Sequence, residues 1–312
     1  GTTYVFTSLI MDNSVFGYMV MGYSDHAFDK KIYIVYIGYI QSMHAYIRNN
    51  EQSRWDNMDY ENAIEIRGLV KKYDGFTLGP ISFSLPKGSI MGFIGQNGAG
   101  KSTTIRSLLG IINYDEGELR LLGKDIKNDK ADIREDIAAV FDELPFNDTL
   151  TAASLEKIFK GVYKNWDSDR FYHYLERFEL PKKKKCGRFS KGMKMKLQIA
   201  TALSHEAKLL IMDEATTGLD PVVRNEMLDV FREYIQDEEH SILMSSHITS
   251  DLEKIADGVT YIDRGKILLC GYKDEILDHH GVIKCSKEDL KRIEVSDYIS
   301  ARVNEFGVEV MV

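Results

Sequence analysis

From Glu61 onward the chain alternates between short apolar runs and helix-like stripes. Ala63-Ile64-Glu65-Ile66 and Ile81-Ser82-Phe83-Ser84-Leu85 switch between apolar and polar residues at the period of a half-buried strand. Gly79-Pro80 and Pro86-Lys87-Gly88 punctuate them. Leu119-Arg120-Leu121-Leu122, closed by Gly123, predicts another short strand and turn, and Ala138-Ala139-Val140-Phe141 a compact buried strand. Leu209-Leu210-Ile211-Met212 is apolar throughout and ends on Asp213-Glu214. A run of that kind is a strand covered on both faces, as in a parallel sheet, and its acids emerge at the carboxyl end where ligands bind in such sheets. Ser241 to Ser246 repeats the design with His247 at its tip, while Val259–Ile262 and Lys266–Leu269 around Asp263-Arg264-Gly265 read as a closing hairpin.

Between these strands lie helices. Leu155, Ile158, Phe159, Val162 and Tyr163 fall on one helix face, and Phe171, Tyr174, Leu175 and Phe178 on another. Asp167 or Ser168 caps the second helix and Pro181 stops it. Both stripes predict core contacts. A third helix, from about Lys191 to Ser204, carries Met193, Leu197, Ala200 and Leu203 at helical spacing, and Lys182 to Lys185 before it read as a solvated face. Residues 282–312 suggest a strand, a helix from Glu288 to Asn304 and a final strand from Val308 to Val312. A bare apolar strand at that end must pair with a neighbour or continue into further chain.

Composition narrows the classes. The 312 residues suffice for one large domain or two ordinary ones. The 40 Lys and Arg against 48 Asp and Glu give −8, which disfavours nucleic acid as the main partner. Cys186, Cys270 and Cys285 have neither paired spacing nor His companions at metal-ligand distance, as expected of reduced thiols in the cytosol. No run approaches the ~18–20 apolar residues of a membrane-spanning helix. No repeat of roughly 20–50 residues recurs, so one nucleotide unit is expected rather than a tandem pair.

The chemistry centres on Gly95-Gln96-Asn97-Gly98-Ala99-Gly100-Lys101-Ser102-Thr103, which fits G-x-x-x-x-G-K-[ST]. It follows the strand-like run Ile90-Met91-Gly92-Phe93-Ile94 and precedes a helix-like stretch from Thr104 to Leu109, the context a phosphate cradle requires. Glycine opens backbone conformations that let successive N–H groups converge on one anion. The helix that follows adds the positive end of its dipole, Lys101 a charge for the outer phosphates, and Ser102 a hydroxyl for Mg²⁺. The stretch predicts binding of a nucleoside triphosphate.

With four further landmarks in order, the chain resembles the ATP-binding subunit of an ABC transporter over about residues 60–280. Gly95 to Thr103 resembles the Walker A loop, Phe189-Ser190-Lys191-Gly192-Met193-Lys194 the signature motif, Leu209 to Glu214 the Walker B strand and its glutamate, and Thr217-Gly218-Leu219-Asp220 the D-loop. His247 stands where the switch histidine belongs. Tyr73, 22 residues before Gly95, is placed like the aromatic that stacks on adenine. The resemblance implies an α/β P-loop NTPase with a mostly parallel core sheet, an antiparallel β subdomain and an inserted α-helical subdomain. It implies ATP and Mg²⁺ as cofactors, a separate transmembrane permease, a second ATP-binding subunit, and a place at the inner face of the cell membrane.

The same resemblance assigns roles. Ser102 and Asp213 hold Mg²⁺, Glu214 orients or deprotonates the attacking water, and His247 contacts the γ-phosphate and Glu214. Ser190 and the Gly192 N–H meet the γ-phosphate of an ATP held by another copy, where Lys191 could add charge. Three departures stand out. Lys191 replaces the usual first signature glycine, Met193 the usual glutamine, and Asp142 (or Glu143, should the alignment slip by one) the glutamine that joins Mg²⁺ to the membrane-partner interface. A carboxylate there can still ligate Mg²⁺, but it cannot donate a hydrogen bond while ionised. The Ser-Lys-Gly-Met pattern is similar to bacterial exporter ATPases of the antibiotic- and peptide-resistance type. The rivals are a soluble ABC-type ATPase in translation or DNA maintenance, which usually carries two nucleotide units or a long coiled-coil insertion, and a non-hydrolysing regulatory module, against which Glu214 and His247 argue.

The expected organisation is an ATP-binding domain over 58–281, with its helical insertion at about 145–188, and a tail over 282–312. Residues 1–57 differ, being rich in Tyr and Met and ending in the polar stretch Arg48 to Arg54. The nine-residue apolar run Ile32 to Ile40 is too short to span a bilayer as a helix. An accessory segment, a membrane-surface or permease-contacting element, and sequence upstream of a true start at Met58 all remain open for them.

Overall fold

The computed structural model describes residues 3–11, 14–24, 27–35, 62–128, 130–246, 249–278, 282–286, 290, 300–304 and 307–311. The chain divides into two compact units. One comprises residues 60–247 with 255–269, the other 1–59 with 248–254 and 270–312. Residues 270–281, assigned by their pattern to the ATP-binding domain, group here with the tail.

In the second of these units β1 (Thr3–Met11), β2 (Ser14–Ser24) and β3 (Ala27–Val35) form an antiparallel meander. The polar stretch Arg48 to Arg54 lies outside the described residues.

The larger unit opens with β4 (Asn62–Tyr73) and β5 (Phe76–Pro86), antiparallel neighbours, followed by β6 (Ile90–Ile94), the helix α1 (Lys101–Leu108), β7 (Glu116–Leu121) and β8 (Lys124–Asp125). Strands β5-β4-β7-β8 make a four-stranded antiparallel sheet. Then come α2 (Lys130–Glu135), β9 (Ile137–Phe141), α3 (Ala152–Val162), α4 (Ser168–Arg177), a 3₁₀ turn at Cys186–Arg188, α5 (Lys191–Ala202), β10 (Leu209–Asp213), α6 (Pro221–Tyr234) and β11 (Ser241–Ser246). After α7 (Thr249–Ile255), β12 (Gly258–Asp263) and β13 (Lys266–Tyr272) complete a six-stranded sheet in the order β13-β12-β6-β11-β10-β9. Its pairs from β12 to β9 are parallel. The fold is the expected α/β P-loop architecture, with a parallel core sheet, an antiparallel sheet and a helical insertion.

Every residue of β6, β10 and β11 is buried, which is why their sequences lack alternation. The parallel register sets Asp213 opposite both Phe141 and Ser245, and Ser246 opposite Ile94. The carboxyl ends of β9, β10, β11 and β6 therefore finish along one edge, and the phosphate loop springs from that edge.

The caps follow the sequence. Asp167 accepts from Arg170 N at the head of α4, and Asp220 accepts from Val222 N and Val223 N at the head of α6, with Pro221 in the first turn. Phe171, Leu175 and Phe178 are buried as predicted. The α3 stripe is not: Leu155 is buried, but Ile158 is 45% and Val162 62% exposed. α3 instead buries the edge carrying Ala152, Leu155 and Glu156, whose Oε1 accepts from Ser168 Oγ at 2.7 Å. The helical period alone could not tell which part of a wide apolar face meets the core.

In the same unit as β1 to β3, α8 (Lys273–Asp278) precedes β14 (Val282–Cys285), β15 (Ser300–Asn304) and β16 (Gly307–Met311). The final strand does pair, lying antiparallel between β14 and β15. The helix expected up to Asn304 is corrected at its end, since Ser300–Asn304 is a strand held in that ladder. Its earlier part is mostly outside the described residues.

The cysteines are unpaired with one another, and burial, then Asp148, pushes the Cys186 thiol up, so it stays an inert core group. Among the described residues no helix is long and apolar enough to cross a membrane.

Phe231 on α6 is fully buried. Phe231→Ala should lower unfolding free energy by about 3–5 kcal/mol through lost burial plus a residual cavity. A denaturant titration showing less than about 1 kcal/mol would mean that α6 is not packed on this core.

Candidate nucleotide-binding site

The loop after β6 is shaped by what glycine lacks. A Cβ at Gly95 would lie 2.4 Å from the Ile262 carbonyl oxygen, and one at Gly100 would lie 2.7 Å from Leu78 Cδ1. Gly98 and Gly100 have φ of 81° and 115°, which side chains rarely adopt. The loop is closed by Ala99 N donating to Gln96 O at 3.1 Å and is tied to the β12–β13 turn by Gly265 N donating to Ala99 O at 2.8 Å. Gln96, Asn97 and Gly98 are exposed, whereas Ala99 and Gly100 are buried. Gly100 is also the N-cap of α1 and contributes no side-chain cap. The first N–H groups of that helix, and the positive end of its dipole, are therefore suited to an anion.

Lys101 is only 5% exposed. Its Nζ donates to Gly95 O at 2.7 Å and Gln96 O at 3.3 Å, and lies 3.1 Å from Glu214 Oε1. Glu214 Oε2 accepts from Thr217 Oγ1 at 2.7 Å. Asp213, at the end of β10 and 7% exposed, accepts at Oδ1 from Ser245 Oγ at 2.8 Å. Lys101, Asp213, Glu214, Thr217 and Ser245 thus form one connected group. Sequence reasoning named the first three and placed Thr217 only within a motif. Ser245 went unnoticed, because a serine inside a strand gives no signal until the register sets it beside an acid.

A second group surrounds the start of α5. Ser190 caps that helix, its Oγ accepting from Met193 N at 3.2 Å. Lys191 Nζ lies 2.5 Å from Asp142 Oδ1 in the same chain, and a Cβ at Gly218 would sit 3.2 Å from that Nζ. The charge of Lys191 therefore meets a carboxylate within its own chain. Gln198, buried one helical face along α5, grips the Phe141 peptide just before Asp142, accepting from its N–H at 3.1 Å and donating to its carbonyl at 2.9 Å. Gly192 faces Val223 of α6, where an added Cβ would make only ordinary contact at 3.5 Å.

Tyr73 ends β4, is 45% exposed, and has Lys71 Nζ 5.4 Å from its ring centroid. It pairs in register with Phe76, whose Cζ would lie 3.6 Å from a Cβ at Gly100. The hairpin tip thereby brings aromatic surface beside the phosphate loop. Ser102 and Thr103 are half-buried on the first turn of α1. His247 lies outside the described residues.

The donor set suits a magnesium–nucleotide complex. The Asp213 carboxylate and Ser102 hydroxyl are hard oxygen donors, and among the described residues no cluster of three or more His, Cys, Asp or Glu could hold a metal unaided. Mg²⁺ takes few protein oxygens and completes its shell with phosphates and water, so this sparse set fits.

Residues 78–217 match the ABC transporter family. The chain is 36% identical over 209 residues to the bacitracin transport ATP-binding protein of Bacillus licheniformis, covering 66% of this chain and 68% of that one. It is 34% identical to the linearmycin resistance ATP-binding protein of Bacillus subtilis, covering 70% and 72%. This chain is an ABC transporter ATP-binding subunit. Among solved structures, an ATP-binding subunit of an ABC transporter superposes with a TM-score of 0.63 at 26% identity, over 70% of this chain and 92% of that one. A nucleotide-free ATP-binding cassette at 22% identity, with a TM-score of 0.59 over 70% and 94%, shares the fold.

As an ATP-binding subunit, the chain binds ATP. Lys101→Ala would remove a charged phosphate partner at a buried position and should weaken ATP binding by about 10–100-fold, the worth of one charge-assisted hydrogen bond. Unchanged affinity in a nucleotide titration would show that the loop around Gly95 to Thr103 is not the cradle.

Proposed function

We propose that this subunit hydrolyses ATP in a Mg²⁺-dependent site completed by a second copy, and that closure of the pair drives a separate membrane permease. The observation that carries this reading is the meeting of Lys101 with Glu214 directly after Asp213, at the exposed edge of a buried parallel sheet. Phosphoryl transfer to water needs positioning and charge neutralisation more than covalent help. Lys101 turns from Glu214 Oε1 to the outer phosphates when ATP enters the loop, leaving that oxygen to accept a proton from water. The water oxygen bonds to the γ-phosphorus as the bond to the β–γ bridging oxygen breaks. Ser102 and Asp213 would hold Mg²⁺, which would supply charge neutralisation to the phosphates. His247 steadies the γ-phosphate, and Tyr73 stacks on the adenine. Asp142 would add a further hard oxygen donor on the metal side.

The second copy enters through Ser190 and Gly192. Among the described residues nothing demands glycine at 192, since a Cβ there would make only ordinary contact. The missing side chain instead leaves room for a partner's γ-phosphate to approach the Gly192 N–H closely. Val222, beside the D-loop and 76% exposed, is apolar surface for the same contact. ATP then joins the two copies, and hydrolysis releases them.

For the permease we assign the cavity of about 490 Å³ lined by Leu109, Gly110, Ile133, Glu135, Val162 and Tyr163. Val162 of α3, 62% exposed, lines this mixed apolar and charged groove, and the exposed Ile158 lies one turn before it on the same helix, apolar surface of a kind that meets a partner helix. Relatives include bacitracin transport, linearmycin resistance and lantibiotic transport ATP-binding proteins. Export of antibiotic- or peptide-like cargo, with this subunit on the inner face of the cell membrane, follows by analogy with them.

Glu214→Gln should slow turnover by about 10²–10⁴-fold, the range for loss of a general base, while an ATP-bound dimer accumulates on size exclusion. Wild-type phosphate release by that variant, or full turnover by a strictly monomeric protein, would refute this mechanism. Val162→Asp should abolish co-purification of the co-expressed permease and leave the isolated subunit's ATP affinity within about twofold, because a second carboxylate beside Glu135 would replace the apolar surface that a partner helix covers. Retained co-purification would move the docking site elsewhere.

A further inference from the structure

The carboxylates of Asp213 and Glu214 are adjacent in sequence but held in different ways. Asp213 is the last residue of β10 and is fixed by the sheet on both sides, opposite Phe141 and Ser245. Glu214 lies beyond the ladder and adopts φ of 55°, a left-handed conformation that costs a non-glycine residue about 1–2 kcal/mol. Such a conformation persists only where surrounding bonds over-determine it. Here the Glu214 N–H donates to Ser245 Oγ at 3.0 Å and to Ser245 O at 3.2 Å. The same Ser245 hydroxyl donates its one proton to Asp213 Oδ1 at 2.8 Å. Ser245 is fully buried in β11, so water does not replace either bond.

The geometry points to Ser245 as a positioning residue that couples the metal-binding carboxylate to the turn that aims Glu214. Its hydroxyl has a single proton and two lone pairs, and both kinds of capacity are in use. With the donor committed to Asp213, the carboxylate is held in one rotation about its terminal bond. With a lone pair accepting from the Glu214 N–H, the strained turn is held against relaxation. Thr217 pins the far end of the Glu214 side chain through Oε2 at 2.7 Å, so Ser245 and Thr217 fix that residue at backbone and tip. The orientation of the Asp213 carboxylate that would face Mg²⁺ is thereby tied, through this hydroxyl, to the backbone of Glu214. The coupling rests on the preceding reading of Asp213 as a magnesium ligand.

The test uses the full chain as wild type, Ser245→Ala and Ser245→Cys, the cysteine keeping a side chain of similar shape with only a weak donor. ATP affinity is measured by calorimetry in EDTA and again with Mg²⁺, and phosphate release is followed in parallel. Both variants should match wild type within about twofold in EDTA. The gain in affinity on adding Mg²⁺ should fall at least about fivefold, and kcat about tenfold, equivalent to ~1.4 kcal/mol. A wild-type Mg²⁺ gain in either variant, or no such gain in the wild type itself, would overturn the inference. An EDTA affinity that falls as far as kcat would also overturn it, by showing a general structural loss. Absence of phosphate release from the wild type would sink the hydrolysis reading alone, because the Mg²⁺ gain in affinity is read without turnover.

Discussion

A buried ammonium group requires partners, and the site is organised by the ones Lys101 finds. Removing such a charge from water costs several kcal/mol unless hydrogen bonds and an opposite charge replace hydration. Two carbonyls of the glycine loop and the Glu214 carboxylate supply them. On the proposed mechanism those same groups surround the place where phosphate oxygens bind, so the lysine is held beside its ligand's position. A triphosphate would then compete with Glu214 for one cation and change the environment of that carboxylate.

That exchange depends on the core sheet. Four parallel strands, three of them buried along their whole length, end at one edge, and their register brings Phe141, Asp213 and Ser245 level there with Ser246 opposite Ile94. At two points the loop has no room for a side chain. Gly95 is pressed against the Ile262 carbonyl and Gly100 against Leu78, so the antiparallel sheet and the β12 strand hold the cradle from behind. Packing that looks purely structural sets where the loop's N–H groups lie.

Two of the three departures from the family pattern meet. Lys191 replaces the first signature glycine, and its ion-pair partner Asp142 (with Glu143 as the alternative) stands at the glutamine position. Both are about two-fifths exposed, so the pair is worth at most about 1 kcal/mol. The Gln198 clamp on the Phe141 peptide is the firmer link between α5 and the end of β9, being buried and made of two hydrogen bonds. The D-loop joins this region to the other group, with Thr217 on Glu214 and Gly218 against Lys191.

Local chemistry was legible in the sequence wherever the constraint is itself local. The glycine spacing, the lysine and serine at a helix start, the apolar run ending in two acids and the cap at Asp167 each act within a few residues. The chain order of the motifs then sufficed for fold and family. Only the tertiary structure decided which face of α3 is buried, that Ser300–Asn304 belongs to a strand, and which partners the charged groups take. Lys101 with Glu214, Lys191 with Asp142, and Ser245 with Asp213 are pairs far apart along the chain. Their contacts exist only because parallel strands of fixed register carry them to one edge, and no periodicity in the sequence encodes that register.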